Sequence, residues 1–308
     1  MKKFLIHILF LILILSAKAQ EPAAFHQLFP AQHILNPATN GVRNSINGYL
    51  LYRSQWTGIS GAPQTQVLHV NAPIRAYKIG IGFSVVHEQI GMRNVTDISA
   101  AFSYNVKTGN TGKLAFGLKA GLKNNTFNTS KAKLSDDSDA LFNNQEASIL
   151  FPDFGFGCYY FSKKLYAGLS MPSLFSYRFA TSGAMSSGIE KQASLYFHSG
   201  YFYSVSQNCV LKPEMQLFYN QATSINAQVN ANLIFKDKFT IGAGYQTSKA
   251  ISFITELNLK PYLIIGYAYS YNFGWLMNVQ TGTHEIRLAM DFGLETKKIP
   301  LLNTIRDF

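Results

Sequence analysis

The feature that most constrains this chain is an alternation of apolar and polar residues, sustained for about ten residues at a time and repeated along nearly the whole length after residue 45. Leu114, Phe116, Leu118, Ala120 and Leu122 interleave with Ala115, Gly117, Lys119, Gly121 and Lys123. Ile225, Ala227, Val229, Ala231 and Leu233 interleave in the same way with Asn226, Gln228, Asn230 and Asn232. A period of two places one set on each face of a strand. The pattern returns over 79–85, 98–106, 239–245 and 284–292, with Gly, Asn, Lys and Ser in the turns between. Strands of that length match a tilted bilayer crossing.

A soluble β-sandwich also alternates, but its strands are usually about five or six residues long, and charge is spread over its outside. Here only 14% of residues are charged, against roughly 25% in ordinary soluble domains. Aromatic residues also reach 14%, with 17 Tyr and 24 Phe. Many fall where strands are expected to end: Tyr49 and Tyr52, 159–161, 201–203, Phe218 and Tyr219, Tyr269 and Tyr271. Rings at strand ends predict the interfacial girdles of a membrane barrel.

The N-terminus has the form of a secretory signal peptide over residues 1–19: Met1-Lys2-Lys3, an apolar run over 4–15 interrupted by His7, then Ala17-Lys18-Ala19 before Gln20. The run is too short to span a bilayer, and no later segment approaches the eighteen or more apolar residues a spanning helix needs. Cleavage after Ala19 removes Lys2, Lys3 and Lys18 and no acid, so the formal charge falls from +11 to +8. An exported basic chain is poorly placed to meet nucleic acid, and none is expected as a partner. Its surroundings are outer-membrane lipid.

Bilayer-spanning strands without spanning helices have one stable arrangement, because open sheet edges cannot be left in hydrocarbon. The chain is therefore expected to be all-β, a transmembrane antiparallel up-and-down β-barrel of about 14 strands. Their centres fall near residues 50, 68, 83, 101, 118, 157, 168, 198, 215, 229, 243, 255, 267 and 288. Ile286, Leu288, Met290 and Phe292 should face lipid, with Glu285, Arg287 and Asp291 inward. The barrel should occupy 45–293, preceded by a segment over 20–44 and followed by a tail over 294–308. The longest polar connections, 124–150 and 172–191, are expected outside the cell.

Catalytic constellations are not evident, and the chain is read as not an enzyme. The histidines are scattered, with no HExxH and no serine partner. No cofactor or metal is expected: Asp136, Asp137 and Asp139 lack the spacing, glycine and terminal glutamate of a calcium loop. Cys158 and Cys209 lack metal-ligand spacing; a disulfide is chemically allowed after export, but Cys158 shares its register with Phe154, Phe156 and Tyr160 and reads as a small lipid-facing residue. The strand glycines Gly80 and Gly82, Gly155 and Gly157, and Gly242 and Gly244 are expected to relieve crowding on the inward face.

Asn36-Pro37-Ala38, then 53–58 (RSQWTG) and 61–65 (GAPQT), resemble the N-terminal signature of the PorP/SprF family of the Bacteroidota, membrane components of the type IX secretion system. Further matches are Pro73-Ile74, 80–85 (GIGFSV), 113–121, 152–157 (PDFGFG) with Tyr159-Tyr160, 166–170 (YAGLS) and 283–286 (THEI). The resemblance covers almost all of 25–292. The chain departs from it at Thr39-Asn40-Gly41, where the family usually has Tyr-Ala-Gly, and at His87-Glu88, where Asn-Asp is common. The resemblance implies a barrel that helps deliver or anchor secreted surface proteins, in some members a gliding adhesin, with the cargo and the secretion machinery as partners. Asn36, Pro37, Arg53, Gln55, Trp56, Gly61 and Pro63 are its candidate partner-binding residues.

Two roles are open for the signature. Residues 21–44 could tuck into the barrel as a plug, with Arg53, Gln55 and Trp56 lining the adjacent turn; or Asn36-Pro37 ends a turn and Gln55-Trp56 joins the girdle. The rival functions are a FadL-like or porin-like channel for small solutes and a scaffold for periplasmic lipoproteins.

Overall fold

The computed structural model describes residues 25–43, 45–74, 78–109, 112–128, 146–178, 188–191, 194–220, 223–274 and 277–293. The expected signal peptide, the tail over 294–308 and the acidic cluster at 136–139 lie outside the described residues. A helix α1 (Leu28–Leu35) and a single 3-10 turn (Pro37–Thr39) come first. The strands are β1 (Ser45–Ser54), β2 (Gln64–Ile74), β3 (Ile79–Ile90), β4 (Arg93–Thr108), β5 (Gly112–Asn128), β6 (Glu146–Phe161), β7 (Leu165–Met171), β8 (Phe175–Arg178) and β9 (Gly188–Lys191). They continue with β10 (Ser194–Tyr201), β11 (Tyr203–Ser206), β12 (Cys209–Asn220), β13 (Thr223–Phe235), β14 (Phe239–Gln246), β15 (Ala250–Lys260), β16 (Leu263–Asn272) and β17 (Thr283–Gly293).

Fourteen of these strands form the barrel wall, each antiparallel to its neighbours: β1 to β7, β10, and β12 to β17. Closure is made by β1 against β17, from Ser45↔Gly293 to Ser54↔His284, and the gap left by the shorter pieces is bridged by β10 against β12. Closure gives every wall strand a hydrogen-bonded neighbour on each side, as a wall in hydrocarbon requires. Each of the fourteen expected centres falls within one of the wall strands.

The wall is taller in places than the alternation suggests. The pairing of β5 with β6 runs on through Asn124↔Leu150 to Asn128↔Glu146, inside the stretch expected to be loop, because ladder bonding continues past the apolar band. Within the second expected loop, β8 and β9 form a separate two-stranded hairpin.

The two faces follow the period-two pattern. Outward Phe116, Leu118 and Leu122 are 52%, 65% and 52% exposed, whereas inward Ala115 and Asn125 are at 0% and 1%. Cys158 lies opposite Phe116, and both cysteines are free thiols. Several rings expected in the girdles instead point inward: Tyr49, Tyr159, Phe161 and Phe218 are buried. Their register is the lumenal one, and they pack on other rings there, as Tyr159 does on Phe161 at 5.6 Å and Tyr196 on Phe218 at 4.7 Å. Tyr52, Tyr203, Tyr219 and Tyr271 stay exposed on the lipid side.

Leu118→Arg should cost about 2–4 kcal/mol if its position is near the bilayer midplane. Denaturant titration in lipid vesicles should place it well below both wild type and Leu118→Phe. Equal stability of all three would reverse the assigned faces. Asn230 is on the opposite face, where the sequence pattern suggests tolerance to charge. In the structure Asn230 is buried and its Nδ2 donates to the His26 carbonyl at 2.8 Å, so a charge there also displaces a contact to the lumenal segment.

The first and last residues of the barrel wall, Ser45 of β1 and Gly293 of β17, lie at one rim, together with the short turns 162–164 and 236–238. We call this the terminal rim. The connections 55–63, 129–145, 172–193 and 273–282 leave the opposite, long-loop rim.

Candidate functional site

Residues 25–43 lie inside the barrel and run from the long-loop rim towards the terminal rim. At the start, the backbone N–H groups of His26 and Gln27 donate to the two carboxylate oxygens of Glu285 on β17, at 3.0 and 3.1 Å. At the end, Arg43 pairs with Asp291 near the last turn of the same strand, at 3.4 Å. Between them the segment is nearly all buried. Phe25, Ala31 and Leu35 join Tyr49, Leu51, Val67, Tyr196, Phe218 and Ala289 in an apolar cluster across the lumen. The His26 Nε2 sits 2.8 Å from Ser270 Oγ. The His33 ring stacks on His69 with centroids 5.5 Å apart.

The chain turns sharply at Asn36-Pro37. Asn36 Oδ1 accepts the Ala38 N–H at 3.0 Å, and Pro37, which has no N–H to satisfy, occupies the first position of the 3-10 turn. Asn36 Nδ2 donates to the Cys158 carbonyl at 2.9 Å, tying the knuckle to β6. Ser170 Oγ donates to the Leu35 carbonyl at 2.7 Å, and Ser103 Oγ to that of Asn40 at 2.6 Å.

The wall has no side chains where the knuckle presses on it. A Cβ at Gly117 would overlap the Ala38 nitrogen and the Pro37 carbonyl carbon, one at Gly157 the Asn36 side chain, and those at Gly80 and Gly82 the backbone and side chain of Asn40. These glycines give the turn a cradle of bare backbone. The crowding they relieve at β3, β5 and β6 comes from this segment, whereas Gly242 and Gly244 make room for the wall's own Asn232 and Asn230.

The rest of the signature is at the long-loop rim. Arg53, 3% exposed, lies 3.9 Å from Glu285 and donates to Gln55 Oε1 at 2.6 Å. It therefore stands behind the carboxylate that holds the start of the segment. The Gln55 N–H donates to the Pro63 carbonyl at 2.9 Å, closing the base of the 55–63 loop. That loop is tied to two neighbours. Thr57 N donates to the Gly282 carbonyl at 2.8 Å and its carbonyl accepts from Thr281 N at 2.7 Å, while the Gly61 carbonyl accepts from Gly91 N at 2.8 Å. Trp56 and Gly61 carry the left-handed backbone, φ 50° and 74°, that this tight path needs.

The seven candidate residues thus divide. Asn36 and Pro37 make the buried knuckle, Arg53 and Gln55 make the latch, and Trp56, Gly61 and Pro63 shape the rim loop. They share one purpose, which is to position residues 25–43 and the loop above them. Sequence reasoning missed His26 and Gln27, which contribute backbone rather than side-chain chemistry at the latch.

Several charges inside the wall are paired. Lys119 Nζ is 2.8 Å from Asp97 and Lys123 Nζ 2.9 Å from Asp153, while Arg287 bridges Glu256 at 2.7 Å and Gln27 at 2.8 Å. Pairing is what buried ions require. Among the described residues no group of three or more His, Cys, Asp or Glu could hold a metal ion.

A closed wall with an apolar belt and a lumen occupied by its own chain defines an integral outer-membrane β-barrel of the self-filled kind. Residues 17–290 match a known family over most of the length, and the chain belongs to it: type IX secretion system membrane protein PorP/SprF. It is therefore a secretion-associated component of the outer membrane. No curated protein matches the chain in sequence. In fold it is similar to the monoaromatic hydrocarbon channel CymD, with TM-score 0.53 and 10% identity over 88% of this chain and 94% of that one. It is similar also to a TodX deltaS2S3 mutant monoaromatic hydrocarbon channel, with TM-score 0.51 and 11% identity over 90% and 97%. At such identities the likeness is one of barrel fold alone.

Proposed function

We propose that this protein acts by binding, as a partner-specific accessory of type IX secretion that receives or anchors a large secreted surface protein, such as a gliding adhesin, at its long-loop rim. The observation that carries this reading is the filled lumen: residues 25–43 occupy the space through which a solute channel would conduct. Outer-membrane barrels keep short turns in the periplasm and long loops outside, so the long-loop rim faces the cell exterior. Loops on a rigid wall are where recognition varies without disturbing the fold, and the stitched 55–63 loop gives that rim a fixed base.

Deleting the gene should remove one or a few proteins from the cell surface while general secretion and small-solute uptake persist. Quantitative surface proteomics of the deletion strain, beside uptake assays, tests this. An unchanged surface protein set with lost uptake of a small molecule would sink the reading and favour a channel.

A further inference from the structure

Above the filled part of the lumen, towards the long-loop rim, β3, β4, β5 and β6 enclose a cavity of about 260 Å³ with the 173–175 segment and Ser194 on its far side. Lys123 Nζ donates to Ser173 Oγ at 2.8 Å, holding that segment across the space. The apolar lining is Val86, Val95, Phe151 and Phe175. The charged lining is Glu88, Arg93, Asp97 and Lys123.

These charges are not equally used. Lys123 is engaged by Asp153 and Ser173, and Asp97 Oδ2 by Lys119. Three groups have capacity left. The Glu88 side chain makes no hydrogen bond or ion pair among the described residues, although Glu88 and Arg93 line the same small cavity. Among the described residues the Arg93 side chain donates only through Nε, to Asn125 Oδ1 at 3.0 Å, and the terminal fork of its guanidinium has no acceptor there. Asp97 Oδ1 is buried and has no donor. Half-buried opposite charges that line one partly open cavity without closing on each other leave room for a bridging group, and the buried Asp97 Oδ1 is costly to leave without a donor.

We propose that this cavity binds a zwitterion of amino-acid size: a carboxylate on the fork of Arg93, an ammonium between Glu88 and Asp97 Oδ1, and an aliphatic portion against Val86, Val95 and Phe151. Arginine's planar fork suits a carboxylate in two-point contact. The volume is below that of pockets for drug-sized ligands, about 300–1,000 Å³; it takes one amino acid or the last residue of a polypeptide. The site is independent of the proposed secretion partner, because it is defined by groups left unpaired in the wall.

The purified full-length protein in lipid nanodiscs, titrated by calorimetry, tests the assignment. The probes are L-leucine, Nα-acetyl-L-leucine, L-leucinamide, and an N-acetylated Ala-Ala-Lys peptide that carries carboxylate and ammonium on its last residue. Leucine should bind saturably, and the two singly charged forms at least about tenfold more weakly. Glu88→Gln should weaken leucine binding about tenfold while leaving acetyl-leucine unchanged, and Arg93→Gln should do the same for leucine while leaving leucinamide unchanged. Binding of the peptide with none of free leucine supports a polypeptide end as the source; binding of leucine supports a free amino acid. Resistance to unfolding in detergent should be the same for both variants and wild type. No saturable binding of any probe, or binding indifferent to both substitutions, would overturn the site.

Discussion

A chain lacking residues 25–43 should conduct ions where the intact protein does not. In the intact barrel those residues bring Phe25, Ala31 and Leu35 to the middle of the lumen, where they meet rings and aliphatic side chains from β1, β2, β10, β12 and β17. Barrels of about eight strands are filled by their own side chains and those of sixteen or more leave an aqueous channel; fourteen enclose more space than the wall's side chains fill. Planar-bilayer recording should show a steady current for the shortened protein and none for the intact one. Because the deletion also exposes an apolar cluster, Gly117→Val provides a milder variant that keeps the whole chain. Its branched side chain would overlap Ala38 and Pro37, and overpacking of this kind costs about 1–3 kcal/mol. It should dislodge the knuckle and give flickering current, with residues 36–40 gaining amide exchange. Silent recordings from both variants, with the barrel intact by its heat-shift on gels, would mean that some other element closes the lumen.

How far this arrangement is legible in the sequence depends on which interactions specify it. The wall is legible because lipid on one side and a packed lumen on the other impose strict alternation, and residues such as Leu118 beside Lys119 report it locally. The lumen is not, because its order comes from contacts between residues far apart in the chain. His26 meets Glu285 and Asn36 meets Cys158 through backbone atoms that carry no compositional mark. The strand glycines are visible as a pattern, but the agent they accommodate is not, since a bare inward position reads the same whether curvature or a second segment fills it. Aromatic residues near strand ends are ambiguous for a similar reason: one step of register separates exposed Tyr52 from buried Leu51 and Arg53. The cavity beside Glu88 escapes sequence reading altogether, because it is defined by which charges remain unpaired after the wall has closed.

Glu285→Ala should be the most damaging single change at the latch. The carboxylate is fully buried, accepts from two backbone N–H groups, and is the acidic partner of Arg53. Truncation leaves both N–H groups without this acceptor and takes away the carboxylate beside the Arg53 guanidinium, in a buried site. Removing one member of a buried ion pair costs about 3–5 kcal/mol. Glu285→Gln separates the two contributions: its amide oxygen can still accept one N–H, so it should recover part of the loss but not the charge. The order wild type, Gln, Ala should appear both in urea stability of the reconstituted barrel and in amide-exchange protection at residues 26–28. If the Ala variant instead matched wild type in both, the segment would be held by its knuckle in the glycine cradle alone, and Arg53, despite its place in the signature, would have no part in closing the barrel.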